Sequence, residues 1–208
     1  MEPSVNQMVL QGTVAADPVL SHRIRDLSLY RFPLSVPRLS GRVDLLSVLL
    51  PLPPEGEAPP EAGNPVEIEG EIRTFHNRSG QGNRLIITVL SRVLRPGEGG
   101  PRNLVRLEGT VCRPPVVRRT PLGRDICDLL VTVPRKYRRT DCLPCIVWGA
   151  RARRCAALSP GDPVSLEGRL QSRIYRKVID GRAEERTAFE ISVNELERLT
   201  PGERGAQG

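Results

Sequence analysis

The sequence predicts an all-β protein made of two similar small domains in tandem. The 19 Gly and 20 Pro residues favour short strands joined by turns over long helices. Aromatic residues make up only 3% of the chain, so each core must rest on Val, Leu and Ile, which pack well in strands. The third observation is that strand-like segments recur at a nearly fixed spacing, which indicates duplicated structural units.

The repeat has a period close to 97 residues. Leu10-Gln-Gly-Thr-Val14 returns 97 positions later as Leu107-Glu-Gly-Thr-Val111, and Gly63–Phe75 returns 98 positions later within Gly161–Tyr175. Ile87-Thr-Val89 matches Ile191-Ser-Val193, 104 positions on, so we expect the final hairpin of the second copy to be longer by about six residues. The predicted domains are residues 1–95 and 103–199, with a linker at 96–102 and a disordered tail at 200–208.

In the first copy, alternating apolar and polar residues predict five strands. The predicted strands are Met8–Val14, Leu27–Val36, Val43–Leu50, Val66–Phe75 and Arg84–Leu94. The predicted loops are Pro53–Gly63 and the hairpin tip Asn77–Asn83. We expect Leu27, Leu29 and Phe32 to face the core, and Pro33 to mark an edge or a bulge because it lacks a ladder amide.

The second copy predicts the same order with one addition. Its predicted strands are Leu104–Val111, Ile126–Val133, Leu143–Trp148, Gly161–Arg176 and Thr187–Leu199. Arg135–Arg139 is a basic loop with Tyr137 in its middle, and Asp180-Gly181 predicts a tight hairpin turn. Ala150–Leu158 has helical composition and stops before Pro160-Gly161, which predicts a short helix. This arrangement predicts two tandem five-stranded OB-fold barrels, the second with a short helix between strands 3 and 4.

The charge is unevenly divided between the two copies. Residues 1–100 hold 10 basic and 11 acidic residues, a net charge of −1, whereas residues 101–208 hold 21 basic and 13 acidic residues, a net charge of +8. A polyanionic partner would therefore be bound mainly by the second copy. Charge alone leaves open the alternative that these basic residues only make the surface soluble.

Other composition features argue against a membrane protein, a disulfide framework and an enzyme. We see no apolar run long enough to span a bilayer and no secretory signal, so we expect a cytoplasmic, nucleoid-associated protein. Five irregularly spaced cysteines indicate reduced thiols, and the spacing of Cys142 and Cys145 would send them to opposite faces of a strand rather than to one zinc ion. No nucleophile–base pair, carboxylate pair or phosphate-binding loop stands out, so neither a catalytic residue nor a cofactor or metal is expected.

A series of short motifs runs in order through the second copy. They are Leu107-Glu-Gly-Thr-Val111, Arg119-Thr-Pro-Leu-Gly123, Arg135-Lys-Tyr137, Ile146-Val-Trp-Gly149, Val164–Arg173 and Phe189-Glu-Ile191. With these motifs Leu104–Leu199 closely resembles the bacterial single-stranded-DNA-binding protein family, and the first half looks like a degenerate copy. The resemblance implies sequence-tolerant binding, in which bases stack on aromatic side chains over a basic groove at roughly 1–3 kcal/mol per stack.

The resemblance also implies which residues bind DNA. By position, the stacking candidates are Tyr137, Trp148 and Tyr175. The candidate phosphate contacts are Arg118, Arg119, Arg135, Lys136, Arg138, Arg139, Arg169, Arg173, Arg176 and Lys177. Cys142 occupies a fourth aromatic position, and Pro144 removes an amide from the same strand, so we expect weaker binding than in the best-equipped members. The residues alone would favour a core position for Trp148, whereas the resemblance favours the outer face.

The first copy departs from this pattern. The family's central-strand aromatic falls near Pro51, and Phe75 and His76, beside Arg73 and Arg78, are what remains near the fourth-strand position. With its net charge of −1, this domain would attract DNA poorly. We interpret it as structural or as an oligomerisation surface.

Together these features predict a non-enzymatic protein that binds single-stranded DNA in replication, recombination or repair. Family members place four OB domains in one assembly, so two domains per chain predict a homodimer. The last residues, 200–208, carry only Glu203 and Arg204 as charges, so recruitment of partners through an acidic tail is not expected. The alternative is a primosome-like or mobile-element accessory protein that acts mainly through protein contacts. A third candidate, a catalytic OB protein such as a nuclease, would require metal-dependent cleavage of nucleic acid.

Overall fold

The structure, a computed structural model, describes residues 5–53, 56, 58–77, 83–179 and 182–200, with the backbone alone for residues 138, 177–179 and 182. The elements are β1 (Asn6–Val14), β2 (Val19–Ile24), β3 (Leu27–Pro37), β4 (Val43–Leu52), β5 (Pro65–His76), β6 (Leu85–Pro96), β7 (Arg102–Val111), β8 (Val116–Arg119), β9 (Asp125–Pro134), β10 (Thr140–Trp148), α1 (Ala150–Cys155), β11 (Pro163–Ile179) and β12 (Arg182–Arg198). The predicted turn at 180–181, the tail after residue 200 and most of the predicted tip at 77–83 lie outside the described residues.

The chain divides into two compact units, one of residues 7–104 and one formed by the residues after 104 with the first few of the chain. In the first unit the strand order β2-β3-β4-β6-β5-β1 closes through pairing of β1 with β3. In the second unit β8-β9-β10-β12-β11-β7 closes through pairing of β7 with β9. Parallel pairs join β4 to β6 and β10 to β12. Each unit is thus a five-stranded OB-fold barrel with one additional strand, which confirms the predicted fold class.

Alternation along the strands builds each barrel interior. In the first unit the fully buried side chains include Leu10, Leu34, Leu46, Ile68 and Phe32. In the second unit they include Leu107, Val131, Leu143, Leu166 and Leu170. Leu29 and Phe32 are buried as predicted, but the prediction for Leu27 is wrong because its side chain is 42% exposed. Leu27 pairs with Ile24, itself 51% exposed, at the end of the β2–β3 hairpin.

The register of the last strand corrects the sequence alignment of the two copies. Val89 pairs with Ile72, and Ile191 pairs with the equivalent residue Leu170. The offset is 102 residues between Val89 and Ile191 and 98 between Ile72 and Leu170, so the second hairpin is longer by four residues. Val89, and not Ile87, is therefore the counterpart of Ile191. Alternation has a period of two and so cannot detect a slip of two residues.

Two equivalent glycines allow a close approach of neighbouring strands. A Cβ atom on Gly70 would lie 2.2 Å from the carbonyl oxygen of Leu90, and a Cβ atom on Gly168 would lie 2.3 Å from that of Ser192. Both glycines sit beside a β-bulge in the pairing with the following strand. The repeated Glu-Gly step in the sequence therefore marks a place where only a residue without Cβ fits.

The elements between the barrel strands differ between prediction and structure. The strands β2 and β8 were not predicted. Every residue in them is exposed, so neither face is buried and their sequences show no alternation of apolar and polar residues. The predicted helix is present as α1, with Ala152 and Cys155 buried, although it ends before Leu158. The described residues of Pro53–Gly63 form neither helix nor strand, as predicted. Among the described residues, no helix is long and apolar enough to cross a membrane.

Candidate nucleic-acid interface

The outer face of the second barrel, on the side of β11, β12, β10 and β9, gathers several of the predicted side chains. In β10, Leu143, Cys145 and Val147 point into the barrel, so Trp148 faces outward. Its side chain is 38% exposed, and Ile126 of β9 lies directly opposite. The sequence pattern alone left open whether Trp148 faces the core or the outside, and in the structure it lies on the outer face.

A polar network runs along β11 on this face. The amide of Gln171 donates a hydrogen bond to Glu190 Oε1 at 2.9 Å, and Arg169 Nη2 lies 3.5 Å from Gln171 Oε1. Arg173 Nε lies 3.8 Å from the same oxygen of Glu190. The guanidinium carbon of Arg173 lies 5.8 Å from the ring centre of Tyr175, a cation–π distance. The network holds both arginines and Tyr175 on one surface.

Arg169 retains an unused donor. Its Nε atom is buried and has no hydrogen-bond partner within the described part of the chain. Buried donors are nearly always paired in folded proteins, so this unpaired Nε is an exception, while Nη2 of the same guanidinium contacts Gln171. Arg169 pairs across the ladder with Ser192, which in turn lies beside Ile146 of the central strand.

The two outward aromatic side chains lie towards opposite ends of this face. Because β12 runs parallel to β10 and antiparallel to β11, Tyr175 lies towards the start of β10 and Trp148 lies at its end. The nine residues of β10 span about 30 Å at ~3.3 Å per residue. A ligand that contacts both rings must therefore be extended, as a single strand of nucleic acid is.

Tyr137 lies on the loop between β9 and β10, near the start of β10. Its side chain is 91% exposed, and its φ of 61° places it in the left-handed region within a short 3₁₀ turn, Lys136–Arg138. A non-glycine residue is uncommon there, and such strained positions concentrate at functional sites. The loop thus presents an aromatic ring to solvent at the same end of the face as Tyr175.

Arg135 fixes this loop. Its Nη1 atom lies 3.2 Å from Oδ1 of the fully buried Asp141, and its amide donates to the carbonyl of Arg139 at 2.7 Å. The first unit repeats the arrangement, with Arg38 Nε 2.7 Å from Oδ2 of the buried Asp44. Since both copies keep the pair although their charges differ, the pair serves the loop fold. Arg135 is therefore less available to DNA than its neighbours.

Other predicted phosphate contacts are also ion-paired. Arg119 Nε lies 3.7 Å from Asp125 Oδ1, and Arg176 Nε lies 3.3 Å from Glu185 Oε1. All four side chains are at or near the surface, where such pairs contribute little to stability and a phosphate can easily replace the carboxylate.

Lys136 and Arg139 are exposed and form no ion pair within the described residues. The side chains of residues 138 and 177, also predicted contacts, are not described.

Arg118 lies on the outer face in the same row as Trp148. It pairs with Ile126, the residue opposite Trp148, and its Nε and Nη2 atoms lie 2.5 and 3.1 Å from the carboxylate of Asp128. The hydrogen bond to Asp128, aided by the charges of Asp128 and Glu190, raises the pKa of Arg118 despite partial burial. The face therefore carries its own anions among its cations.

Sequence reasoning missed these acidic and amide groups. Asp128, Gln171 and Glu190 stand at outward positions in strands that also carry arginine. The signal that could have found them is the alternation itself, which assigns them to the same face as Trp148 and Arg173. The net charge of the domain does not reveal them, because it sums the charges and says nothing about where each one lies.

The thiols of the second unit are mostly buried. Cys145 points inward and Cys142 outward on β10, as their spacing predicts, and Cys127 and Cys155 are buried in the barrel. Burial raises the pKa of all four thiols, to about 12 for Cys155. No group of three or more metal-binding side chains occurs among the described residues. Thiols that stay protonated act as small apolar side chains.

The corresponding face of the first unit carries exposed apolar side chains beside an ion pair. Pro51 pairs with Leu29 and stands where Trp148 stands in the second unit. Phe75 lies opposite Ile86, and these two side chains with Leu45 are 41–51% exposed. Arg73 forms an ion pair with Glu71, whereas residue 78 lies outside the described part. The combination of Trp148 with Arg169 and Arg173 is therefore not repeated on the described face of the first unit.

Comparisons with known proteins give a family-model match and similar solved structures. Residues 102–199 match the model of the single-strand binding protein family. The chain is similar in structure to the wild-type single-stranded DNA binding protein from Thermus aquaticus, with 24% identity over 97% of this chain and 96% of that chain and a TM-score of 0.73. A deletion mutant of the Thermus aquaticus protein gives 24% identity over 98% and 100% of the chains and a TM-score of 0.73. A search of the curated proteins gives no match.

Proposed function

We propose that the chain is a member of the single-strand binding protein family, whose model matches residues 102–199, and that it binds single-stranded DNA without sequence preference on the outer face of its second barrel. The observation that carries this proposal is the placement of Trp148 and Tyr175 on one sheet face with Arg169 and Arg173 between them. Aromatic rings accept any base by stacking, and guanidinium groups accept phosphates.

The arrangement supports binding of one DNA strand along β10 and β11. A base stacks on Trp148 at one end, and others stack on Tyr175 and the exposed Tyr137 at the other. Between them the guanidinium groups of Arg169 and Arg173 meet the phosphates of the DNA backbone. Because every base has a π-face and every nucleotide a phosphate, this recognition is tolerant of sequence.

The two units then have different tasks. The domain of residues 103–199 binds DNA, and the domain of residues 1–95 has a structural role, consistent with the net charge of −1 over residues 1–100 and with the exposed apolar side chains of the first unit. Two chains would assemble into a homodimer with four OB domains. Light scattering tests this, and a monomeric mass would contradict it. Such a protein acts in replication, recombination or repair, in the cytoplasm with the nucleoid, and catalyses no reaction.

A second candidate function rests on the ion pairs and on the first unit. Arg118, Arg119, Arg173 and Arg176 all have carboxylate partners, and the apolar side chains of the first unit are of the kind found at protein interfaces. An accessory protein of a primosome or a mobile element, which acts mainly through protein contacts, would show these features. It would bind single-stranded DNA weakly or not at all.

Titration with poly(dT), followed by the fluorescence of Trp148, distinguishes the two functions. Trp148 is the single tryptophan of the chain, so the signal reports on the proposed site alone. Base stacking predicts strong quenching, and phosphate contacts predict that the logarithm of affinity falls with the logarithm of salt concentration by about 0.7 per phosphate neutralised. No binding at low salt would refute DNA binding and favour the accessory role.

A further inference from the structure

A cluster of exposed arginines adjoins the end of β10 beyond Trp148. These residues, which form the arginine platform, are Arg119 of β8, Arg124 of the β8–β9 turn, and Arg151, Arg153 and Arg154 of α1. We propose that the arginine platform is a second contact surface for the phosphates of the same DNA strand that stacks on Trp148. This inference rests on the proposed function and adds a surface that the stacking residues do not include.

The platform has an excess of positive charge. Its acidic neighbour is Asp125, whose Oδ2 atom lies 2.8 Å from Arg153 Nη1 and whose Oδ1 atom lies 3.7 Å from Arg119 Nε. Five guanidinium groups against this one carboxylate leave four positive charges. Arg124, Arg151 and Arg154 form no ion pair within the described part of the chain. An exposed guanidinium group of this kind can bind two oxygens of one phosphate through two parallel hydrogen bonds.

Helix α1 presents its arginines because of the spacing of its small residues. Ala152 and Cys155 are three positions apart and buried, so they lie on the face that packs on the barrel. Arg151 and Arg154, also three apart, share one exposed flank, and Arg153 reaches Asp125 from the other flank. Both solvent-exposed flanks of the helix therefore carry arginine side chains.

The platform is continuous with the stacking face. The amide of Gly149, which follows Trp148 directly, donates to the carbonyl of Asp125 at 2.8 Å, so α1 begins against the start of β9. Arg118, next to Arg119 in β8, lies across Ile126 from Trp148, two strand spacings or about 10 Å away. A strand of DNA that leaves the ring of Trp148 therefore reaches the platform within one or two nucleotides.

The first copy has the opposite charge at the corresponding place in the sequence. The segment 53–63 stands where α1 stands in the second copy, and it contains Glu55, Glu57 and Glu61 but no basic residue. The first barrel is therefore built without arginines at this place. Their presence in the second copy coincides with that of Trp148 and Tyr175, which supports a shared ligand.

The test compares a short and a long DNA ligand with the double variant Arg151→Gln/Arg154→Gln. An oligothymidine of about 4 nucleotides, the lower end of the roughly 4–16 nucleotides of one OB-fold site, is confined to the stacking face, whereas poly(dT) reports on both surfaces. We expect the short ligand to quench Trp148 with unchanged affinity. With poly(dT) the log–log salt slope should become shallower by about 1.4, because two phosphate contacts are lost.

The matched control is Arg23→Gln/Arg42→Gln, which removes two exposed charges from the first unit. It should leave the salt slope for poly(dT) unchanged. An unaltered slope in the platform variant, or an equal change in the control, would overturn the inference while leaving DNA binding intact. If the unmodified protein did not bind poly(dT) at low salt, the proposed function itself would fail, and the inference with it.

Discussion

Neutralising Glu190 should strengthen DNA binding. Its carboxylate accepts a hydrogen bond from Gln171 at 2.9 Å and lies 3.8 Å from Arg173, in the middle of the proposed binding face. Glu190→Gln removes the charge and keeps an oxygen that can accept the bond from Gln171. A phosphate that binds Arg173 would approach this carboxylate closely, so the native charge opposes binding.

The size of the effect follows from the geometry. At a separation of about 6 Å and an effective dielectric constant of about 40–80, the repulsion between one phosphate and the carboxylate is about 0.7–1.4 kcal/mol. The dissociation constant should therefore fall by about 3- to 10-fold. Because Arg173 loses its anionic partner and becomes free to meet a phosphate, the salt slope should also steepen by about 0.7.

Fluorescence anisotropy of a labelled oligothymidine at several salt concentrations measures both quantities. The control is Glu69→Gln, which removes a carboxylate that lies 2.5 Å from Arg95 in the first unit and should not change affinity. The thermal midpoint should shift little, because the ion pair of Glu190 is long and Arg173 is largely exposed. A folded variant that binds DNA no better than the unmodified protein would refute this account of the face.

Three further predictions concern the stacking ring, the bulge and a buried thiol. Trp148→Ala should weaken DNA binding by about 1–3 kcal/mol, or about 5- to 150-fold, with little loss of thermal stability; unchanged anisotropy titrations would contradict the stacking role. Gly168→Ala should lower the free energy of unfolding by about 1–3 kcal/mol in urea denaturation, because its Cβ would lie 2.3 Å from the carbonyl of Ser192, whereas Gly100→Ala, with nothing within 4 Å, should be neutral. Burial raises the pKa of Cys155 to about 12, so the folded state keeps a proton that the unfolded state loses above about pH 8.5; stability should fall by up to about 1.4 kcal/mol per pH unit between there and pH 12. Cys155→Ala should make that alkaline decline shallower, and an identical decline in both proteins would show that the thiol is not its source.

The sequence by itself determined the architecture and the repeat. Period-two alternation in stretches such as Val164–Leu170 identifies a half-buried strand wherever one face must leave water, so all ten barrel strands were predictable. The glycines at 70 and 168 belong to the same category, since a close approach of two backbones requires glycine in both copies. The two short strands β2 and β8 escaped prediction because they bury neither face.

The tertiary structure alone decided register and charge pairing. Alternation fixes the face of a residue but not its partner across the ladder, which is why Val89 rather than Ile87 matches Ile191. It also left open whether Trp148 faces inward or outward. The pairs Arg135–Asp141 and Arg173–Glu190 depend on strands that are brought together only in the closed barrel. An ion pair requires two charges within about 4 Å, and that separation is a property of the fold and not of the composition.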